Sequence, residues 1–114
     1  MRTHQKGVDA FIPLCEEPFK AFRDGRKRHE LRPYCPRWSE KHFPPGRLVT
    51  LSWGYGKANR LYGSIRSYRH TNAQNLRKDY REAVERHYGT HDIEIAVIGI
   101  DVDPSEKPGL KGEE

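Results

Sequence analysis

Apolar residues recur along the chain with two periods, one belonging to strands and one to helices. Residues 8–14, Val-Asp-Ala-Phe-Ile-Pro-Leu, read as a first strand that Pro13 brings to an end. Glu16, Glu17 and Pro18 then open a short helix over roughly residues 16–24. Proline suits a first turn, where its missing N–H goes unused, and acids suit the positive end of the helix dipole. Phe19 and Phe22, with Leu14, supply one apolar side, and Gly25 fits the left-handed residue just past the helix end. Residues 26–32 predict a second strand. Four prolines, at 33, 36, 44 and 45, make residues 33–47 a loop, with Tyr34, Trp38 and Phe43 pinning it to the body.

The alternation resumes at residues 48–53, Leu-Val-Thr-Leu-Ser-Trp, entered through a Pro45-Gly46 turn. Gly54-Tyr55-Gly56-Lys57 is a hairpin tip, and residues 61–68 form the returning strand. Over 72–88 the period changes: Leu76, Tyr80, Ala83, Val84, His87 and Tyr88 make a helical stripe, with Asn72 or Asn75 as cap and Gly89 as stop. Residues 93–102 are nearly continuous Ile, Val and Ala, as in a strand buried on both faces. From Pro104 the chain is polar, and a flexible tail over 103–114 is expected. The order β-α-β-β-β-α-β leaves two helices for both faces of the sheet. A small curled barrel of about five or six strands with two flanking helices, of the α+β class, is the economical solution. There is no repeat and no sign of a second domain in residues 1–102.

Composition sharpens this. Of 114 residues 34% are hydrophobic and 32% charged, so one modest core is all the chain can build. Of the net +5, residues 103–114 carry −2, which leaves the body near +7. A basic body with a pI near 9.4 favours anionic partners, above all nucleic acid, although plain solubility explains the same number. The first residues lack the apolar core of a signal peptide, and no apolar run is long enough to span a membrane. A cytoplasmic protein with Cys15 and Cys35 as free thiols is expected. The six histidines show no metal-ligand spacing with cysteine, so no metal and no cofactor is expected.

The candidate chemistry lies in Gly25-Arg26-Lys27-Arg28-His29-Glu30-Leu31-Arg32. On a strand Glu30 and Arg32 share one face, and Leu31, taken as pointing inward, faces the other way. Lys27 joins Glu30 only if the strand begins with a bulge or twist just after Gly25. Arg32 can clamp a phosphate, Glu30 can accept from an amine or act as a general base, and Lys27 can neutralise negative charge. The competing explanation is a charged edge strand that discourages aggregation. Trp53 and Tyr55, with Lys57 beside them, can stack bases and meet phosphates; Trp53 and Tyr62 can equally be packing residues. A band of cations over residues 57–81, with only Asp79 against it, fits a phosphate track or a solvated face.

Gly25, Lys27, Glu30 and Arg32 resemble, position by position, the Gly-x-Lys-x-x-Glu-x-Arg motif of the ASCH domain family, small relatives of the PUA RNA-binding barrel. The likeness extends to the preceding helix, the Pro45-Gly46-Arg47 turn into a strand, and the helix before the last strand, over roughly residues 8–102. It implies a PUA-like barrel with a motif-lined cleft that suits RNA or a nucleotide, with Lys27, Glu30, Arg32, Trp53, Tyr55 and Lys57 as contacts. It also implies an alternative, an enzyme acting on RNA or on a modified nucleoside, with Lys27 and Glu30 as the catalytic pair. Family members that deacylate N4-acetylcytidine carry a threonine where this chain has Glu30, and a later glutamate that Ala73-Gln74-Asn75 does not supply. That pattern is therefore incomplete here.

Overall fold

The computed structural model describes residues 9–54 and 59–104. Five strands form one mixed sheet, curled into a half-barrel: β1 (Ala10–Leu14), β2 (His29–Pro33), β3 (Leu48–Trp53), β4 (Arg60–Asn72) and β5 (Glu94–Val102). Two helices, α1 (Glu16–Arg23) and α2 (Lys78–Tyr88), complete the α+β architecture. The spatial order is β1-β3-β4-β5-β2, parallel only between β1 and β3. β1 and β2 are therefore the two free edges, and the curl brings them to either side of an open seam.

β5 explains why the sheet is covered on both faces. Ala96, Ile98 and Ile100 face the barrel interior with Ile12, Val49, Leu51, Leu61 and Ile65. Phe19 and Phe22 of α1 close over this cluster. Ile95 and Val97 face outward under α2 and pack with Ala73, Leu76 and Val84. Alternation with apolar residues on both sides is what a central strand buried on both faces requires.

Three boundaries differ from the sequence expectation. The second strand begins at His29 rather than residue 26, because Gly25 takes a left-handed turn (φ 82°). The amides of Arg26 and Lys27 then donate back to the Ala21 carbonyl, which draws these two residues against the end of α1, while the Arg28 carbonyl accepts from the Ile100 amide of β5. β4 is longer than residues 61–68, since its polar stretch pairs with β5 as far as Asn72 opposite Glu94. α2 correspondingly starts at Lys78 rather than residue 72. The Asn72 side chain does act as a cap, accepting from the Gln74 amide, but of a 3-10 turn (Ala73–Asn75), and Leu76 and Arg77 run extended before the helix. Tertiary pairing thus outweighed the helical stripe at its first turn.

The expected loop over 33–47 is pinned by Trp38 and Phe43, both buried, whereas Tyr34 is exposed and stacks on His70. Val8 and the expected tail from residue 105 lie outside the described residues.

Candidate ligand-binding cleft

Glu30 faces the barrel interior, against expectation. Its register partner is Ile98 and that of Arg32 is Ala96, both interior residues, while Leu31 lies opposite Val97 and packs beneath α2. Glu30 is consequently buried to 6% exposure and Leu31 only half-buried, the reverse of the pattern that a leucine-in strand would give. A carboxylate tolerates that burial only if it is paired. Arg32 Nε lies 2.5 Å from one oxygen and Lys27 Nζ 3.3 Å from the other. The irregular start after Gly25 is what lets Lys27 reach across the odd spacing.

Arg32 is more committed than a phosphate clamp would be. Besides Glu30 it donates through Nη2 to the Pro13 carbonyl at 2.6 Å, and its guanidinium lies 4.4 Å from the Trp38 ring centre. The bond to Pro13 runs from β2 to β1 and so bridges the seam. Lys27 is freer: its ammonium lies 5.6 Å over the Phe22 ring, its side chain is 31% exposed, and its backbone is held by Ala21.

The three charged groups line a cleft of about 570 Å³ at the edge of β2. One wall comes from the end of β1 and the start of α1, namely Pro13, Leu14, Cys15 and Pro18; the other comes from α2, namely Ala83, Val84, His87 and Tyr88. The helical stripe placed Val84, His87 and Tyr88 on one face, but only the fold shows that this face overhangs Glu30. His87 and Tyr88 at the end of that stripe were the available signal. Cys15 and Cys35 are free thiols.

The other expected contacts lie elsewhere. The Trp53 ring packs 5.9 Å from Phe19, with Lys20 Nζ 5.8 Å above it, outside the cleft lining. Ser52, the strand residue before Trp53, is buried and donates to the Gly54 carbonyl, closing the end of β3. Tyr55 and Lys57 lie outside the described residues. Among the described residues no group of three His, Cys, Asp or Glu is placed to hold a metal ion, and no helix is long and apolar enough to cross a membrane.

A half-barrel with its cleft at the seam, flanked by two helices, is an ASCH-like fold. A solved structure with this likeness is a mutant form of the ZmASCH protein from Zymomonas mobilis. The alignment covers 82% of this chain and 68% of that one, with a TM-score of 0.56 and 16% identity. Identity at that level establishes the shared fold alone. No protein-family profile and no curated protein matches the chain.

Proposed function

We propose that the cleft binds RNA or a nucleotide, with Lys27, Glu30 and Arg32 as its polar end. The observation that carries this reading is a buried carboxylate, held between two cations, opening into about 570 Å³ of otherwise largely apolar space. That volume is in the usual range for a small-molecule site, roughly 300–1,000 Å³. A nucleobase has apolar faces for Leu14, Pro18, Val84 and Tyr88, and N–H donors on its edge for Glu30. The carboxylate keeps lone pairs beyond those used by Arg32 and Lys27. Lys27 is the group left to meet a phosphate, and Arg32 holds Glu30 in place. Tyr55 as a stacking group and Lys57 as a phosphate contact belong to the same proposal, both outside the described residues. The ASCH-like fold supports the reading, because the family resemblance implies a cleft of this use.

One observation favours a second reading, an enzyme acting on RNA or a modified nucleoside. Lys27 Nζ and Glu30 Oε1 are 3.3 Å apart at the cleft, a separation over which a small rearrangement passes a proton. One experiment addresses both: anisotropy of a labelled single-stranded RNA at low and moderate salt, with the RNA and added N4-acetylcytidine checked for integrity afterwards. Salt-sensitive binding to intact RNA, lost in Lys27→Ala, is the expected result. Cleavage or deacylation that Lys27→Ala abolishes establishes the enzyme instead. Parent-like binding by Lys27→Ala removes the cleft from the reading.

A further inference from the structure

The outward face of the sheet carries charge that neither the core nor the cleft uses. β5 turns Val97, Gly99 and Asp101 to this side. On β4, Arg69 lies opposite Val97 and Ser67 opposite Gly99, and the register shift between Ile65 and Ser67 leaves Arg66 bulged, 3.8 Å from Asp101. On β2, His29 also lies opposite Gly99, with Arg28 just before it. Gly99 has no side chain to fill the row, and Ser67 Oγ leans over it: a Cβ there would sit 2.3 Å from that oxygen. At the start of α2, the Tyr80 hydroxyl lies 3.1 Å from His29 Nδ1, and the Arg77 guanidinium lies 4.2 Å over the Tyr80 ring.

Four exposed arginines from three separate segments therefore surround one half-buried histidine. Their effect on it shows the convergence: burial first, then Arg66, Arg77, Arg69 and Arg28, hold the His29 imidazolium below its ordinary range. Two carboxylates oppose them, Asp101 beside Arg66 and Asp79 at 2.7 Å from Arg77. Among the described residues Arg28 and Arg69 have no carboxylate partner. Like charges gathered in this way work against the compact state, and a bridging anion removes the repulsion. Among the described residues the large exposed apolar side chains, Phe11, Tyr34 and Tyr88, are not part of this cluster, which therefore offers none of them as an anchor for a protein partner.

We infer that this surface is a second nucleic-acid contact, where Arg28, Arg66, Arg69 and Arg77 take the sugar–phosphate backbone of RNA. None of the four arginines lines the cleft, so the inference stands apart from the cleft reading. The two surfaces nevertheless share elements: β2 turns Glu30 and Arg32 to one and His29 to the other, and α2 gives Tyr88 to one and Tyr80 to the other. An RNA held in the cleft can thus continue onto the outer face.

The test compares the full-length parent, the double variant Arg66→Gln/Arg69→Gln, and Lys27→Ala, each titrated into a labelled single-stranded RNA of about 20 nucleotides over several salt concentrations. The double variant should bind about tenfold more weakly at moderate salt. Its log–log salt slope should be shallower by about 1.4, from two phosphate contacts at about 0.7 each. In the parent, RNA should raise the pKa of the His29 ring followed by NMR, because phosphates offset Arg28, Arg66, Arg69 and Arg77. A double variant with unchanged affinity and slope overturns the proposal, as does a His29 titration that RNA leaves unmoved. Polyglutamate displacing RNA at equal charge also overturns it, in favour of an acidic protein. A loss confined to Lys27→Ala leaves the cleft standing and this surface rejected; a loss confined to the double variant does the opposite.

Discussion

Glu30 organises its neighbourhood because burying a carboxylate forces other groups to come to it, and the two that do have unequal roles. Lys27 makes one 3.3 Å contact and keeps 31% of its side chain in solvent, so removing it sacrifices little packing. Arg32 holds Glu30, donates to Pro13 across the seam, and lies against Trp38. Lys27→Ala is therefore expected to lose ligand while costing under about 1 kcal/mol of stability. Arg32→Ala should cost about 2–4 kcal/mol, since it strands a buried carboxylate as well as a carbonyl. Urea denaturation of both variants checks this; equal stabilities would show that Arg32 is not the seam's tie. His29 gives a pH prediction at the same scale. Its folded pKa lies below its ordinary 6.5, so the native ring binds fewer protons than the unfolded one. Stability should then fall as the pH drops below about 6.5, and level off in this contribution once the pH passes the folded pKa. Arg66→Gln/Arg69→Gln should flatten that slope, as measured by thermal unfolding between pH 7 and pH 5. An unchanged slope would mean that the arginines do not act on His29.

Among the elements, β4 lies in the middle of the sheet between β3 and β5, and its glycine shows how closely the strands approach there. Gly63 sits between Val49 of β3 and Val102 of β5, and a Cβ on it would stand 2.2 Å from the Asp101 carbonyl oxygen. Backbone cannot rotate away, so Gly63→Ala should destabilise by about 1–3 kcal/mol or more. At Gly99 the obstacle is the Ser67 hydroxyl, which can swing aside, so Gly99→Ala should cost clearly less. Equal urea midpoints would contradict that ordering. The same strand shows where sequence pattern stopped being informative. Residues 48–53 and 93–102 were legible because their apolar residues serve the core directly. The end of β4, Arg69-His70-Thr71-Asn72, is polar and becomes strand only because β5 offers it hydrogen bonds, a partner no local window contains. The cleft was legible in part for a similar reason. Lys27, Glu30 and Arg32 are neighbours in sequence, and a turn after Gly25 suffices to gather them. Pro13, Pro18, His87 and Tyr88 come from distant segments, and the orientation of Glu30 followed from which face α2 covers rather than from Leu31 beside it.

For the whole molecule, the order β1-β3-β4-β5-β2 leaves a sheet whose two ends are joined by side chains and not by a ladder. The Arg32–Pro13 bond spans that seam, and the cleft lies along it, walled by β1, α1, β2 and α2. A ligand seated there touches both sides of the opening, so it should bind the closed, native sheet and not the unfolded chain. Mass action then stabilises the fold by about 2.7 kcal/mol at a ligand concentration 100 times Kd. For a domain of about 100 residues that corresponds to a rise in Tm of roughly 10 °C. On the proposed reading the basic body adds a contribution that a small ligand does not use, because the outer arginines stand apart from the cleft lining and are within reach of a polymer alone. A mononucleotide should accordingly raise the Tm of the parent and of Arg66→Gln/Arg69→Gln equally, and leave Lys27→Ala unmoved. A single-stranded RNA of about 20 nucleotides should stabilise the parent further, and that increment should shrink in the double variant and with added salt. If the mononucleotide shifts all three proteins alike, Lys27 is not the ligand's contact. If RNA adds nothing beyond the mononucleotide, the cleft is a site for small nucleotides and the charge on the outer face serves solubility alone.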